Sequence, residues 1–135
     1  HKRWSQGEAG ATVLDGDLVA AAVAPASSAQ VATAFLEALS LSSQPRGDLF
    51  KLYQGWIDVV LALLAAQLTG RFSLPGSLAH ANARREALRE SAQLEAEITR
   101  LRAAAAKEKQ VHRRVELNLA LKHAEAARAS ALTRL

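Results

Sequence analysis

The pattern of apolar and polar positions predicts three helical segments after a short β region. Apolar residues repeat at three- and four-residue steps over residues 31–39 and 49–69, a spacing that places them on one helix face. The second segment is apolar almost all round, so it is expected to be the most buried helix. Residues 77–135 contain no glycine or proline and are rich in Ala, Leu, Glu and Arg, which is typical of a long helix or coiled coil.

Capping residues mark the limits of the first two helices. Ser27 and Gln30 form a capping-box pattern for a helix that ends near Leu39. Asp48 is the expected N-cap of the helix over 49–69, and Gly70 follows its last turn. Within that helix, Gly55 indicates close packing against a neighbour, and the aromatic side chains of Tyr53 and Trp56 are expected to be core anchors.

The first 24 residues have the composition of two strands. Residues 1–4 resemble the end of a strand, residues 5–11 a hairpin loop, and residues 12–23 a second strand, with a turn or bulge at Asp15-Gly16. Because a hairpin alone is marginally stable, we expect it to edge a larger sheet upstream or to pack on the helices. The missing initiator methionine also suggests that the chain starts after its true beginning.

The predicted fold class is therefore mainly α with a small β element. Short strands and two core helices would form a base over residues 1–75. A long basic C-terminal helix, coiled-coil-like or bent, would cover residues 76–135. The whole would be the C-terminal part of an α+β protein.

The continuity of the last helix is an open question in the sequence. A heptad stripe from Leu94 holds to Ala105 and then meets Glu108 and His112. A second apolar stripe uses Val111, Val115, Leu117, Leu119, Leu121 and Ala124. The helix either changes partner near residues 106–112 or turns there into an antiparallel hairpin. Because residues 106–114 lack Gly, Pro, Asn and Asp, we favour one continuous or gently bent helix.

Charge is distributed unevenly along the chain. Residues 1–75 hold five basic and six acidic residues, whereas residues 76–135 hold twelve basic and seven acidic residues, a net charge of +5. The basic half is either a solvated helix face with ion pairs such as Glu97–Arg100 and Glu125–Arg128, or a surface for phosphates or carboxylates.

The residue inventory excludes several kinds of chemistry. No cysteine is present, so disulfides, thiolate catalysis and cysteine zinc sites are excluded. No histidine pair has metal-ligand spacing and no glycine-rich phosphate loop occurs, so we expect no catalytic residue, metal or cofactor in this chain.

The longest apolar run, residues 59–66, is far below the roughly 20 residues of a membrane span, and no signal peptide is apparent. These features favour a cytoplasmic protein without membrane contact.

The segment from Lys107 to Asn118 carries the most specific pattern. Glu108, His112 and Glu116 align at four-residue steps, as a buried polar network or as a solvated face. The segment resembles the C-terminal motif of domain-of-unknown-function family 4391 at Glu108, Lys109, Gln110, Arg113, Val115, Glu116, Leu117 and Asn118. It differs at Val111, His112 and Arg114, where the family has Phe, Asn and Lys. The Leu52-Tyr53 and Lys2-Arg3 pairs are also similar to family positions.

The resemblance implies an α/β portion upstream and no established activity. Family members are often encoded beside DNA methyltransferases and helicases of restriction-type defence systems, which implies an accessory role.

Two functions remain from the sequence, besides an enzyme whose active site would lie upstream. The first is a helical interaction module that binds a protein partner or a second copy through the C-terminal helix. The second is a sequence-nonspecific nucleic-acid accessory domain that contacts duplex phosphates through arginine. The candidate contacts for either function are Arg84, Arg85, Arg89, Arg100, Arg102, Lys107, Lys109, Arg113, Arg114 and Asn118.

Overall fold

The computed structural model describes residues 3–6, 12–15, 20–22 and 28–135 of the chain. The chain divides into two compact units, residues 1–75 and residues 76–135. Each unit has its own cluster of buried apolar side chains.

The first unit opens with a two-stranded antiparallel sheet. Strand β1 (Arg3–Gln6) pairs with strand β2 (Thr12–Asp15), with Arg3 opposite Asp15 and Gln6 opposite Thr12. Strand β1 therefore continues two residues beyond its predicted end at residue 4. Its residues 7–11, and residues 16–19 after β2, lie outside the described part of the chain.

Two α-helices and a short 3-10 helix complete this unit. Helix α1 (Ala29–Leu39) leads into the 3-10 helix (Leu41–Ser43) and then into helix α2 (Leu49–Thr69). Ser28, rather than the predicted Ser27, caps α1, because its Oγ accepts the Val31 N–H at 3.3 Å. Ser27 itself lies outside the described residues. The predicted limits of α2 are confirmed, with Asp48 Oδ1 accepting the Lys51 N–H at 2.8 Å and Gly70 in the left-handed region at φ 77°.

The core of the first unit lies between α1 and α2. Its buried residues are Val31, Phe35, Ala38, Val59, Leu63 and Ala66. Phe72 packs against this core edge-on to Phe35, with ring centroids 6.4 Å apart. The prediction that Tyr53 and Trp56 anchor the core is wrong, since both are exposed on α2. The Trp56 indole N–H instead donates to the Leu39 carbonyl oxygen at 3.1 Å and ties α2 to the end of α1.

Helix α2 is also long and apolar enough to cross a membrane, judged by length and composition alone. The longest uninterrupted apolar run, residues 59–66, is much shorter than a span, but the helix as a whole has 21 residues. A core helix has the same length and composition, and α2 contributes half of the buried core just described. One such helix is weak evidence for a membrane span.

The second unit is a helical hairpin. Helix α3 (Leu78–Lys107) is capped by Ser77, whose Oγ accepts the His80 N–H at 3.1 Å, and helix α4 (Val111–Leu132) follows a three-residue turn. The favoured prediction of one continuous or gently bent helix is therefore wrong. Glu108 and Gln110 break the helix by adopting extended backbone with negative φ, a conformation that needs no glycine or asparagine. Glu108 Oε1 also accepts the Gln110 N–H at 2.8 Å.

The predicted fold class requires correction as well. Residues 28–135 form four α-helices and no strand, and these helices make up 78% of that range, so the class is all-α rather than mainly α with a small β element. The two four-residue strands pair only with each other where the structure describes them, and so small a hairpin does not form a layer of its own. Composition alone had suggested the edge of a larger α+β sheet.

Candidate interaction surface on the C-terminal hairpin

The two helices of the hairpin are joined by an apolar seam and by three ion pairs. Ile98 and Leu101 of α3 are buried with Ala124 of α4, and Leu117 and Leu121 pack against them. The ion pairs cross from helix to helix as Arg102–Glu125 at 2.7 Å, Arg128–Glu95 at 2.6 Å and Arg134–Glu90. Their order shows that the helices run antiparallel from the turn to the chain end.

Several of the predicted contact residues serve the hairpin itself. Arg84 is only 2% exposed, and its Nη2 donates to the Leu135 carbonyl oxygen at 3.3 Å. Arg102 pairs with Glu125, so the predicted Glu125–Arg128 pair is replaced by bonds between helices. Arg85 Nη1 donates to Asn82 Oδ1 at 2.6 Å. Arg89 is exposed and also has an interaction within the chain.

Arg100 forms the predicted pair with Glu97 on the surface of α3. Its Nε donates to Glu97 Oε2 at 2.9 Å and its Nη2 to Oε1 at 2.5 Å. These hydrogen bonds lower the pKa of Glu97 and raise the pKa of Arg100, because each favours the charged form of its partner. This guanidinium is already occupied by a carboxylate.

Four other predicted contacts lie together in sequence at the hairpin turn. The side chains of Lys107, Lys109, Arg113 and Arg114 are all exposed, and none forms an ion pair with another residue that the structure describes. Lys107 and Val111 do not share a helix face, because Lys107 ends one helix and Val111 begins the next. Asn118 is exposed, without a hydrogen bond in the described part of the chain beyond those of the helix backbone.

The apolar residues of α4 divide between two faces. Leu117, Leu121 and Ala124 turn towards the seam. Val111, Val115 and Leu119 remain 65%, 60% and 55% exposed. Steps of four residues place these three on one side of the helix, over about 12 Å of its length. Lys122 follows Leu119 by one turn on the same side and is exposed. We call Val111, Val115, Leu119 and Lys122 the outer face of α4.

The carboxylates of α4 are engaged within the hairpin. Glu116 lies 3.2 Å from His112 Nε2, with both side chains exposed, and Glu125 pairs with Arg102. Of the predicted alternatives for Glu108, His112 and Glu116, the structure therefore shows the solvated face and not the buried network. Arg113, Arg114 and Lys122 have no such partner among the described residues, so the uncompensated charge of α4 is positive.

The sequence did not identify the outer face as exposed. In the sequence, Val111, Val115 and Leu119 fall in one apolar stripe with the residues that form the seam. The width of that stripe is the feature that indicates an exposed face. Six apolar positions within 14 residues are more than one partner helix covers. Recognising it required the turn at 108–110, which fixes the side of α4 that meets α3.

The described part of the first unit also exposes apolar side chains, including Leu41 and Leu49. An open apolar groove of about 710 Å³ in the first unit is lined by Leu41, Ser42, Pro45, Arg46, Asp48, Leu49 and Leu52. Asp48 is already committed to capping α2. Within the part of the chain that the structure describes, no three His, Asp or Glu side chains cluster as metal ligands do.

The sequence matches the family model of a domain of unknown function, DUF4391, over residues 1–127 of 135. This match includes the segment from Lys107 to Asn118 whose motif suggested the family. Neither the curated proteins nor the solved structures include a match to the chain. Because the family model covers nearly the whole sequence, the chain belongs to the DUF4391 family.

Proposed function

We propose that this chain is a non-enzymatic helical interaction module that binds a macromolecular partner through the outer face of α4. The observation that supports this most strongly is the exposure of Val111, Val115 and Leu119 in a row beside unpaired cations. Full burial of a valine or leucine side chain is worth roughly 1.5–3 kcal/mol, and more than half of each is still accessible. Covering the row would therefore contribute a few kcal/mol to binding.

The proposed cellular role is that of an accessory subunit. Its support is the resemblance to a family whose members are often encoded beside the enzymes of restriction-type DNA defence systems. In such a system a module of this kind would hold two subunits together or position one of them.

A selective loss of binding would test the interaction surface. The chain is used to co-precipitate proteins from a lysate of its own host, alongside Val115→Asp and Leu119→Asp variants. Ala103→Asp and Ala106→Asp are matched controls, because they add the same charge at exposed positions of α3. We expect a protein that the wild type and the controls retain and that both outer-face variants lose. An identical set of proteins for all variants would contradict the proposed surface.

A second candidate function is sequence-nonspecific binding of duplex nucleic acid. It is favoured by the four unpaired cations at the hairpin turn, which suit phosphate contacts. The second unit contains no aromatic residue, which argues against base stacking on single strands.

A salt-dependent titration tests this second function. A labelled DNA duplex is titrated at several salt concentrations with wild type, with R113E/R114E and with R46E/R71E, a control that removes the same charge from the first unit. Duplex binding that weakens steeply with salt and that only R113E/R114E abolishes would support it. Absence of binding at low salt would exclude it.

A further inference from the structure

We infer that the partner of the outer face of α4 is an acidic amphipathic α-helix, which packs along α4 as a third helix of the hairpin. This inference rests on the proposed function and specifies its partner. It follows from three features of the second unit: the spacing of the exposed apolar residues, the sign of the unpaired charges and the excess of basic over acidic residues on α4.

The spacing of the apolar residues matches a helix. Val111, Val115 and Leu119 form a ridge of the i, i+4, i+8 kind, which packs into the groove between the side-chain rows of a second helix. A partner of about three turns covers the 12 Å that these residues span and extends one turn beyond each end. Recognition of this kind uses anchors at i, i+3 or i+4 and i+7 on the incoming helix.

The charges next to the ridge determine the composition of the partner. Arg114 lies one turn before Asn118 at the border of the ridge, and Lys122 continues the ridge towards the C-terminus. Neither is paired within the described residues, whereas Glu125 is paired with Arg102, and Glu116 lies 3.2 Å from His112 of the same helix. Carboxylates on the flanks of the incoming helix would therefore meet cations that have no other acceptor.

The same charges disfavour a second copy of this chain. The outer face of another α4 brings further cations and no unpaired carboxylate, so like charges would meet beside the ridge. A nucleic-acid duplex supplies negative charge, but its phosphates would face three apolar side chains without giving them an apolar surface to pack against. Of these three partners, only an acidic helix satisfies both the ridge and the charges.

A peptide series provides the test. Three labelled 21-residue peptides carry leucine at heptad positions a and d, with glutamate, glutamine or lysine at all flanking positions. Each is titrated against the intact chain by fluorescence anisotropy at low and moderate salt. We expect the glutamate peptide to bind at least tenfold more tightly than the glutamine peptide, with an affinity that falls with salt. The lysine peptide is expected not to bind.

Variants of the chain locate the binding site. Val115→Asp is expected to lower the affinity for the glutamate peptide at least tenfold, whereas Ala103→Asp on α3 leaves it within twofold. Circular dichroism of both variants verifies that the hairpin is intact. The double variant R114E/K122E is expected to reverse the preference, so that the lysine peptide binds more tightly than the glutamate peptide.

The possible failures are distinguishable. Equal affinity for the glutamate and glutamine peptides overturns the acidic partner. Self-association that sedimentation equilibrium detects and that Val115→Asp abolishes also overturns it. Duplex binding that depends on Val115 does the same. In these cases, selective loss of the co-precipitated protein by Val115→Asp would leave the proposed interaction surface intact. Peptide binding and co-precipitation that are both insensitive to Val115→Asp and Leu119→Asp overturn the surface and the acidic partner together.

Discussion

Arg102 of α3 and Glu125 of α4 lie 2.7 Å apart, measured from Nη2 to Oε1, although 23 residues separate them in the chain. In one continuous helix this separation would place them roughly 35 Å apart. The short distance is therefore direct evidence that the two helices form an antiparallel hairpin. The hairpin in turn decides which side of α4 is left for a partner.

Exchange of the charges in this pair should be tolerated better than either single reversal. The two side chains are 60% and 43% exposed, so the interaction is screened and contributes about 0.5 kcal/mol to stability. We expect Arg102→Glu and Glu125→Arg each to lower the stability of the hairpin and the double variant to recover most of the loss. Urea unfolding of all four proteins measures the coupling. A double variant whose loss equals the sum of the single losses would contradict the pairing.

Truncation should separate the seam from the outer face. Ile98 is 3% exposed and belongs to the seam, so Ile98→Ala is expected to cost about 3 kcal/mol of unfolding free energy. Val115 is 60% exposed, and Val115→Ala is expected to change stability by less than about 0.5 kcal/mol. The comparison is made by chemical denaturation followed by circular dichroism. A loss for Val115→Ala as large as that for Ile98→Ala would mean that the faces of α4 are wrongly assigned.

Gly55 should be sensitive to the addition of a single methyl group. A Cβ atom at this position would overlap Gln44 Oε1 and lie 2.8 Å from Pro45 Cδ, where the chain passes close to α2. We expect the steric overlap in Gly55→Ala to cost about 1–3 kcal/mol of unfolding free energy. This cost exceeds the gain in helix propensity of about 1 kcal/mol, so the first unit is destabilised.

Gly76→Ala is the matched control for this substitution. A Cβ atom there meets no other atom within 4 Å, so its thermal midpoint should equal that of the wild type or exceed it slightly. A Gly55→Ala protein as stable as Gly76→Ala would contradict the close approach.

The cap of α2 predicts a pH dependence of stability. The pKa of Asp48 is held below its usual value of 3.8, because its carboxylate accepts the Lys51 backbone N–H. The Lys51 ammonium group, 3.5 Å from Asp48 Oδ2, lowers it further. A carboxyl group with a lowered pKa in the folded state stabilises that state above the unfolded pKa. This stabilisation is lost as the pH falls through the folded pKa. The wild type should therefore be more stable than Asp48→Ala at pH 7, with the difference shrinking below about pH 4. Urea unfolding at pH 7, 4 and 2.5 measures it, and a difference independent of pH would contradict the role of the charge.

The sequence predicted features that depend on local chemistry. Asp48 and Gly70 were identified as the limits of α2 because capping and left-handed φ need particular residue types. The tight approach at Gly55 was predicted for a related reason and is confirmed. The motif between Lys107 and Asn118 was sufficient to identify the family that the whole-chain match shows.

The sequence did not predict features that depend on long-range pairing. The hairpin turn was missed because Glu108 and Gln110 turn the chain with negative φ, which any residue adopts. Without the turn, Arg84 and Arg102 resembled binding residues, although they serve the packing of α3 on α4. Arg113 and Arg114 are also arginines but remain unpaired. Only their position beside the turn distinguishes them from Arg84 and Arg102.

The distance between spin labels at residues 83 and 130 tests the hairpin most directly. Both Ala83 and Ser130 are exposed, and the chain has no native cysteine, so Ala83→Cys and Ser130→Cys give two specific labels. The hairpin places the labels on neighbouring helices whose axes lie about 8–10 Å apart, and we expect a double electron–electron resonance distance below about 30 Å. A distance near 70 Å, the length of 47 residues in one continuous helix, would contradict the hairpin and the outer face that depends on it.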